Sequence, residues 1–351
     1  MAKKQDLLVA AVLLCIMFVV LLIADLFFDL YVRRILNLCA IYTILGLSMN
    51  LINGFTGLFS LGHAGFMGIG AYVVAIFTVP IAMRAQVFYL KPMHPAIANI
   101  QLPFIVAVIL GGLLAAVAAF IIGAPVLRLK GDYLAIATLG FSEIIRIVIT
   151  NAQTITNGPL GIKDIPPVSN LWLIYGITLV SVVIIILLIN SSYGRAFKAI
   201  REDEVAAEAM GINLFKHKML SFMVGAFFAG IGGGLFGALL GTVDPKQFMF
   251  TLTYNILLII VLGGMGSVSG SIISAFIVTG GLEFLRVLDE PLDLGFVVIP
   301  FRPGLRMVVF SLLLMIIVLF YRNGLMGNKE FTWDFFRGIF KRKQVKQGGA
   351  K

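Results

Sequence analysis

Few residues in this chain could do chemistry, and most of those sit in apolar surroundings. His63 lies between Gly62 and Ala64 inside an uncharged run from Ile35 to Met83, with Asn50, Asn53 and Ser60 upstream. These side chains hydrogen-bond without fixed charge, as a pathway for a zwitterion would require. His63 could equally bond a backbone carbonyl freed by the surrounding glycines. Glu143 and Arg146 stand one helical turn apart and can pair, which lowers the cost of placing either in an apolar setting. That pair reads either as a functional intramembrane ion pair or as a structural fixing of a helix bundle.

Enzyme chemistry has little to work with. His63, His94 and His217 are far apart in sequence, and no Ser-His-Asp arrangement or metal-ligand spacing can be read, so neither catalytic residues nor a metal site is expected. Cys15 and Cys39 lie in apolar runs without a C-x-x-C partner and read as small core residues. No Gly-x-x-x-x-Gly-Lys-Ser/Thr motif occurs, so the chain cannot cradle ATP phosphates in the usual way and energy must come from a partner. Buried carboxylates, as a proton or sodium relay would need, are sparse.

The most informative polar segment runs from Ser191 to Asn213 and reads as two short helices between apolar runs. In the second, Asp203 can cap the start and Gly211 can end it. Val205, Ala206, Ala209 and Met210 share one arc of that helix, while Glu204 and Glu208 point the other way. A small knob with an apolar face suits a groove on a soluble partner, where small side chains allow close backbone approach. The competing reading is an interfacial helix lying on anionic lipid.

The elements that must position these residues follow from composition. Of 351 residues, 60% are hydrophobic and 13% charged, about half the charge of a soluble domain. Uncharged runs occupy 7–24, 35–83, 102–127, 165–194, 219–243 and 247–282, and a bilayer crossing needs about 20 such residues per helix. Spans are therefore expected near 7–24, 33–52, 63–81, 103–123, 133–150, 171–190, 218–240, 251–262, 269–285 and 305–321. Residues 247–282 could instead form one span with a re-entrant piece. The first run follows Lys3 and Lys4 but lacks a small-residue cleavage site, and reads as a retained helix.

Ten crossings place both termini, the basic loop 191–218 and the basic tail 322–351 on the cytoplasmic side, where Lys and Arg accumulate. The net charge of +10 is accordingly read as topological, with no nucleic-acid partner expected. Arg33 and Arg34 on the outer side, and Arg306 and Arg322 flanking a short last span, fit this scheme least well. Two long apolar stretches are each broken by glycine-rich turns, at Asn53–Gly70 and Gly263–Gly270. Such breaks either line a transport pathway or let helices pack closely.

Four stretches resemble the permeases of branched-chain amino acid importers of the ATP-binding-cassette class. They are Asn50–Tyr72, Leu127–Arg146 with Thr156–Ile162, Leu262–Gly270, and the Glu208–Ile212 part of the knob, which is similar to the coupling loop of such permeases. The second stretch resembles the LivM-type subunit. Asn157 stands where a glycine is common before the Gly-Pro pair.

The resemblance implies an all-α, type II importer-like permease domain over residues 1–321 in the bacterial inner membrane. It implies as partners a LivH-like second permease, two cytoplasmic ATPases that bind the ATP, and a periplasmic or surface-tethered binding protein. This chain would hold no cofactor of its own. Leucine, isoleucine or valine is the implied substrate. Urea, a short amide or another amino acid is the alternative, with an ion-coupled secondary transporter as the rival mechanism.

Overall fold

In the computed structural model, residues 2–167 and 170–289 are described, with scattered positions between 292 and 330. Fourteen α-helices are defined between residues 2 and 284, and the described residues 308–312 are helical as well. They are α1 (Ala2–Phe27), α2 (Leu30–Asn50), α3 (His63–Thr78), α4 (Ile81–Val87), α5 (Pro95–Ala98), α6 (Phe104–Val126) and α7 (Asp132–Asn151). The others are α8 (Gln153–Thr156), α9 (Leu171–Asn190), α10 (Ser192–Glu202), α11 (Glu204–Ala209), α12 (Leu214–Leu240), α13 (Phe250–Gly263) and α14 (Val268–Phe284). A two-residue antiparallel pair, β1 (Leu292–Asp293) with β2 (Val298–Ile299), is the only sheet among the described residues.

The chain is an all-α polytopic membrane protein. Among the described residues, five stretches are long and apolar enough to cross a bilayer: Leu30–Phe55, Phe104–Val126, Asp132–Asn151, Leu171–Asn190 and Leu214–Leu240. The pair α3 and α4, bent by 119° at a short break, is either a sixth, broken span or a re-entrant loop. Helices α13 and α14 are shorter. All of the first nine expected spans fall on helices, so ten is an approximate figure; the tenth, with Arg306 and Arg322, lies mostly outside the described residues, as does most of the tail 322–351.

The stretch 247–282, expected as two short spans or one span with a re-entrant piece, forms two helices, each shorter than a full crossing. Gly263 abuts Gly270, and Ser274 Oγ donates to the Ile259 carbonyl at 2.6 Å, so α13 and α14 form an antiparallel hairpin. Helix α13 is short because the chain before it is irregular. Val243 exchanges backbone hydrogen bonds of 2.9 Å with Ile162, and Phe248 packs beside Gly68 in the middle of α3.

The bundle is built around α12, which packs on α2, α3 and α6 and is glycine-rich where it meets them. Gly230 and Gly233 lie against the backbone of Gly70 and Met67 in α3, and Gly111 and Gly112 of α6 close on the same point. On α6 the buried small residues Ala107, Gly111, Ala115, Ala119 and Gly123 recur every fourth position. Bilayer lipid is as apolar as leucine, so helix association there depends on such close packing. In α6 and α9, leucine, isoleucine, valine and phenylalanine instead face outward, as lipid contact requires.

Ionic residues at the helix ends are matched. Arg33 pairs with Asp25 at 3.2 Å and donates to the Phe28 carbonyl, while Trp172 Nε1 donates to the same carboxylate at 3.1 Å. Arg33, one of the two arginines that fitted the outer side poorly, is thus charge-balanced and closes the turn between α1 and α2. At the far end of α3, buried Arg84 donates to five carbonyls, those of Ile76, Val79, Ile97, Ala98 and Ile100, at 2.7–3.3 Å. These include carbonyls left over where α3 and α5 end, so helix dipoles offset the cation. Arg84→Met should strand these acceptors at a cost of at least about 2 kcal/mol. Hydrogen exchange across 88–102 should then quicken; unchanged exchange would show that Arg84 does not hold this loop.

Candidate functional site

The sequence-selected polar residues converge where α2 ends. Helix α2 continues as a π-helical turn, Leu51–Phe55, before the chain doubles back as irregular backbone to the start of α3. His63 meets Ser48 there, seven residues before Phe55, so α3 begins about 10 Å short of the point where the preceding helix ends. Segment 56–62 fills the gap. Irregular backbone at such depth must be satisfied by protein or water. Thr138 Oγ1 of α7 accepts from Leu61 N at 2.9 Å, and Thr253 Oγ1 of α13 accepts from Ala64 N at 3.0 Å.

Each candidate pathway residue is buried and engaged. Asn53 bonds both the carbonyl and the amide of Ser60, closing the loop between them, and Ser60 Oγ is 3.4 Å from Gly62 N. His63 Nε2 lies 2.8 Å from Ser48 Oγ, which donates in turn to the Leu45 carbonyl. Ser48 thus links the histidine to a backbone carbonyl, that of Leu45. Asn50 spans between the two glycine breaks: its Nδ2 donates to Ser267 O at 2.9 Å and Ser271 Oγ at 2.7 Å, and its Oδ1 accepts from Gly266 N at 2.8 Å. The two breaks, separate in sequence, are one locus in space.

Glu143 and Arg146 pair at 2.7 Å, and both side chains remain a quarter exposed on α7. They sit on the edge of α7 away from Phe141 and Ile145, the residues that pack in the cluster with α6. The pair is thus locally neutral and mostly buried on the flank of α7 between buried Ser142 and Ile149 and the exposed face of Ile144, Ile147 and Val148.

The loop between α9 and α12 forms the knob. Asp203 caps α11 by accepting from Val205 N at 2.8 Å and Ala206 N at 3.0 Å, and Gly211 follows the helix end with φ of +83°. Ala207 is buried, whereas Val205 (75%) and Met210 (82%) are among the most exposed apolar residues, and Ala206 and Ala209 are exposed beside them. Glu208 is solvated. Glu204 is not: it accepts from the buried Lys218 at 2.6 Å, which moors the knob to the start of α12. The helical wheel could not show this partner because Lys218 lies fourteen positions downstream.

The described part of the tail reaches the second glycine break. Leu325 N and Met326 N donate to the carbonyls of Leu262 and Gly263, and Glu330 accepts from Val268 N and Ser269 N at the start of α14. Among the described residues, no group of three His, Cys, Asp or Glu side chains is placed to hold a metal ion.

Residues 31–319 match the model of a family described as the permease component of branched-chain amino acid transport systems. The chain belongs to this permease family. It is 36% identical over 290 residues to the high-affinity branched-chain amino acid transport system permease protein LivM of Escherichia coli K12, covering 73% of this chain. The alignment spans 64% of that relative, just under two thirds of its length. It is 25% identical over 328 residues to a probable LivM of Methanocaldococcus jannaschii, covering 85% of this chain and 94% of the relative. The LivH permease of Escherichia coli is 31% identical over 140 residues, 40% of this chain and 41% of that one. No solved structure matches the chain.

Proposed function

We propose that this permease is one of two membrane-spanning subunits of an ATP-driven importer for branched-chain amino acids in the bacterial inner membrane, with both termini cytoplasmic. The observation that carries the reading is the knob, a capped helix whose apolar face has no partner within the described chain. Lipid would also cover apolar side chains. Mooring by Asp203 and Lys218 favours a fitted protein groove, since a lipid-lying helix needs no fixed orientation. The natural occupant is an ATPase subunit, because this chain has no phosphate-binding motif. The quarter-exposed Glu143–Arg146 pair and the buried locus around Asn50, Asn53, Ser60 and His63 would lie along the path shared with a second, LivH-like permease, with a binding protein delivering substrate from outside. The matched relatives named for branched-chain amino acid transport support leucine, isoleucine or valine as that substrate.

Cysteine at Ala206 or Ala209 should crosslink to a co-expressed ATPase subunit and should lower uptake of labelled leucine when bulky reagents are attached. An intact rate of uptake with no crosslink from either position would remove this docking site. Vanadate should arrest uptake in proteoliposomes; uptake that follows an ion gradient instead would favour a secondary transporter.

A further inference from the structure

Arg201, the penultimate residue of α10, has no part in the docking face described above. Its Nη1 donates to the Gly54 carbonyl in the π-helical turn at 3.0 Å. Its stem runs along Gly57, where an added Cβ would come within 2.9 Å of Arg201 Cγ and 3.2 Å of its Cα. A Cβ on Gly266 would lie 2.7 Å from Nη1, so the guanidinium occupies the space over the second break as well. Gly57 and Gly266 have φ of +76° and +89°, which favour glycine for conformation as well as for room. Glu202 holds the other side of the guanidinium, with Nε at 3.1 Å. One turn earlier, the Lys198 ammonium stands 5.7 Å from the Phe55 ring centroid.

Helix α10 is fixed at both ends of this contact. Phe197 and Ile200 bury its apolar side in the bundle, and Asp203, which follows it directly, is the cap of the knob helix. A continuous set of contacts therefore runs from α11 through α10 and Arg201 to Gly54 and Gly266, which Asn50 ties together. The geometry points to Arg201 as the positioning residue through which displacement of the knob reaches both broken segments at once. The lever rests on the reading of the knob as an ATPase dock. A planar guanidinium suits it, because one edge of its fixed fork donates to the Gly54 carbonyl, the other is held by Glu202, and its flat body fills the space over Gly266; a lysine offers one flexible point.

The test uses the whole complex in proteoliposomes with labelled leucine. Arg201→Met keeps the stem against Gly57 and removes only the donors. Leucine taken up per ATP hydrolysed should fall about tenfold or more while hydrolysis stays within about twofold, and Arg201→Lys should recover part of the loss. An unchanged ratio in Arg201→Met overturns the lever. Absence of both variants from the membrane overturns it too, because the contact would then serve the fold.

A second readout needs no transported substrate. Trapping the ATPases with vanadate should alter hydrogen exchange at residues 54–57 and 264–267 in the unaltered protein and not in Arg201→Met. An equal change in both overturns the lever. An unaltered complex that hydrolyses no ATP, or shows no such change, counts against the ATPase dock itself.

Discussion

Gly70→Ala is expected to leave little folded, monodisperse protein after extraction into detergent. A Cβ at Gly70 would overlap the carbonyl and Cα of Gly230, both backbone atoms of α12, so no side-chain rotation can make room. The helices would have to separate, and Gly111 of α6 rests on the Gly70 carbonyl, so a third helix would move with them. Overpacking a core costs about 1–3 kcal/mol where side chains can shift, and a clash between backbones should exceed the top of that range. Gly140 in α7 and Gly176 in α9 provide the comparison, since a Cβ at either meets nothing within 4 Å. Alanine there should be neutral or gain up to about 1 kcal/mol from helix propensity. Equal melting temperatures for Gly70→Ala and Gly140→Ala would show that this crossing is not as tight as described.

Asn50→Ala should release the second break from the first. Three hydrogen bonds from one fully buried side chain would vanish, and Gly266 N would lose its acceptor. At about 1 kcal/mol for each bond, the local loss is on the order of 3 kcal/mol. Hydrogen exchange at Gly266–Ser271 should quicken about a hundredfold if opening there is local. Asn50→Asp should be worse, because it keeps the acceptor for Gly266 but turns a carboxylate toward the Ser267 carbonyl. Exchange unchanged in Asn50→Ala would mean that Glu330 and the Leu325–Met326 contacts hold the turn unaided. Uptake should fall in both variants, because the functional reading needs the two breaks to move together.

Several elements were legible because their causes are local. A mostly apolar run long enough to span a bilayer favours a helix, and this placed the first nine expected helices, including 133–150 with its Glu143–Arg146 pair; the break at 56–62 shows where glycines interrupt such a run. The cap at Asp203 and the stop at Gly211 depend on neighbours within four positions, so the knob could be outlined without a fold. The small-residue row from Ala107 to Gly123 was equally open to view at a spacing of four, and would have marked the buried side of α6.

What the sequence by itself determined is the solvent of each segment, the helices, and a knob with an apolar face. Tertiary structure alone decided the partners of the polar residues. Asn50 and Gly266 are 216 positions apart, and Arg201 and Gly54 are 147 apart; nothing in either neighbourhood encodes the other. Buried polar groups must find partners, but a sequence says only that the need exists. Which group meets it depends on where helices cross, here on the glycines of α3, α6 and α12 that let three backbones touch. That crossing makes two breaks into one locus and brings α10 beneath it.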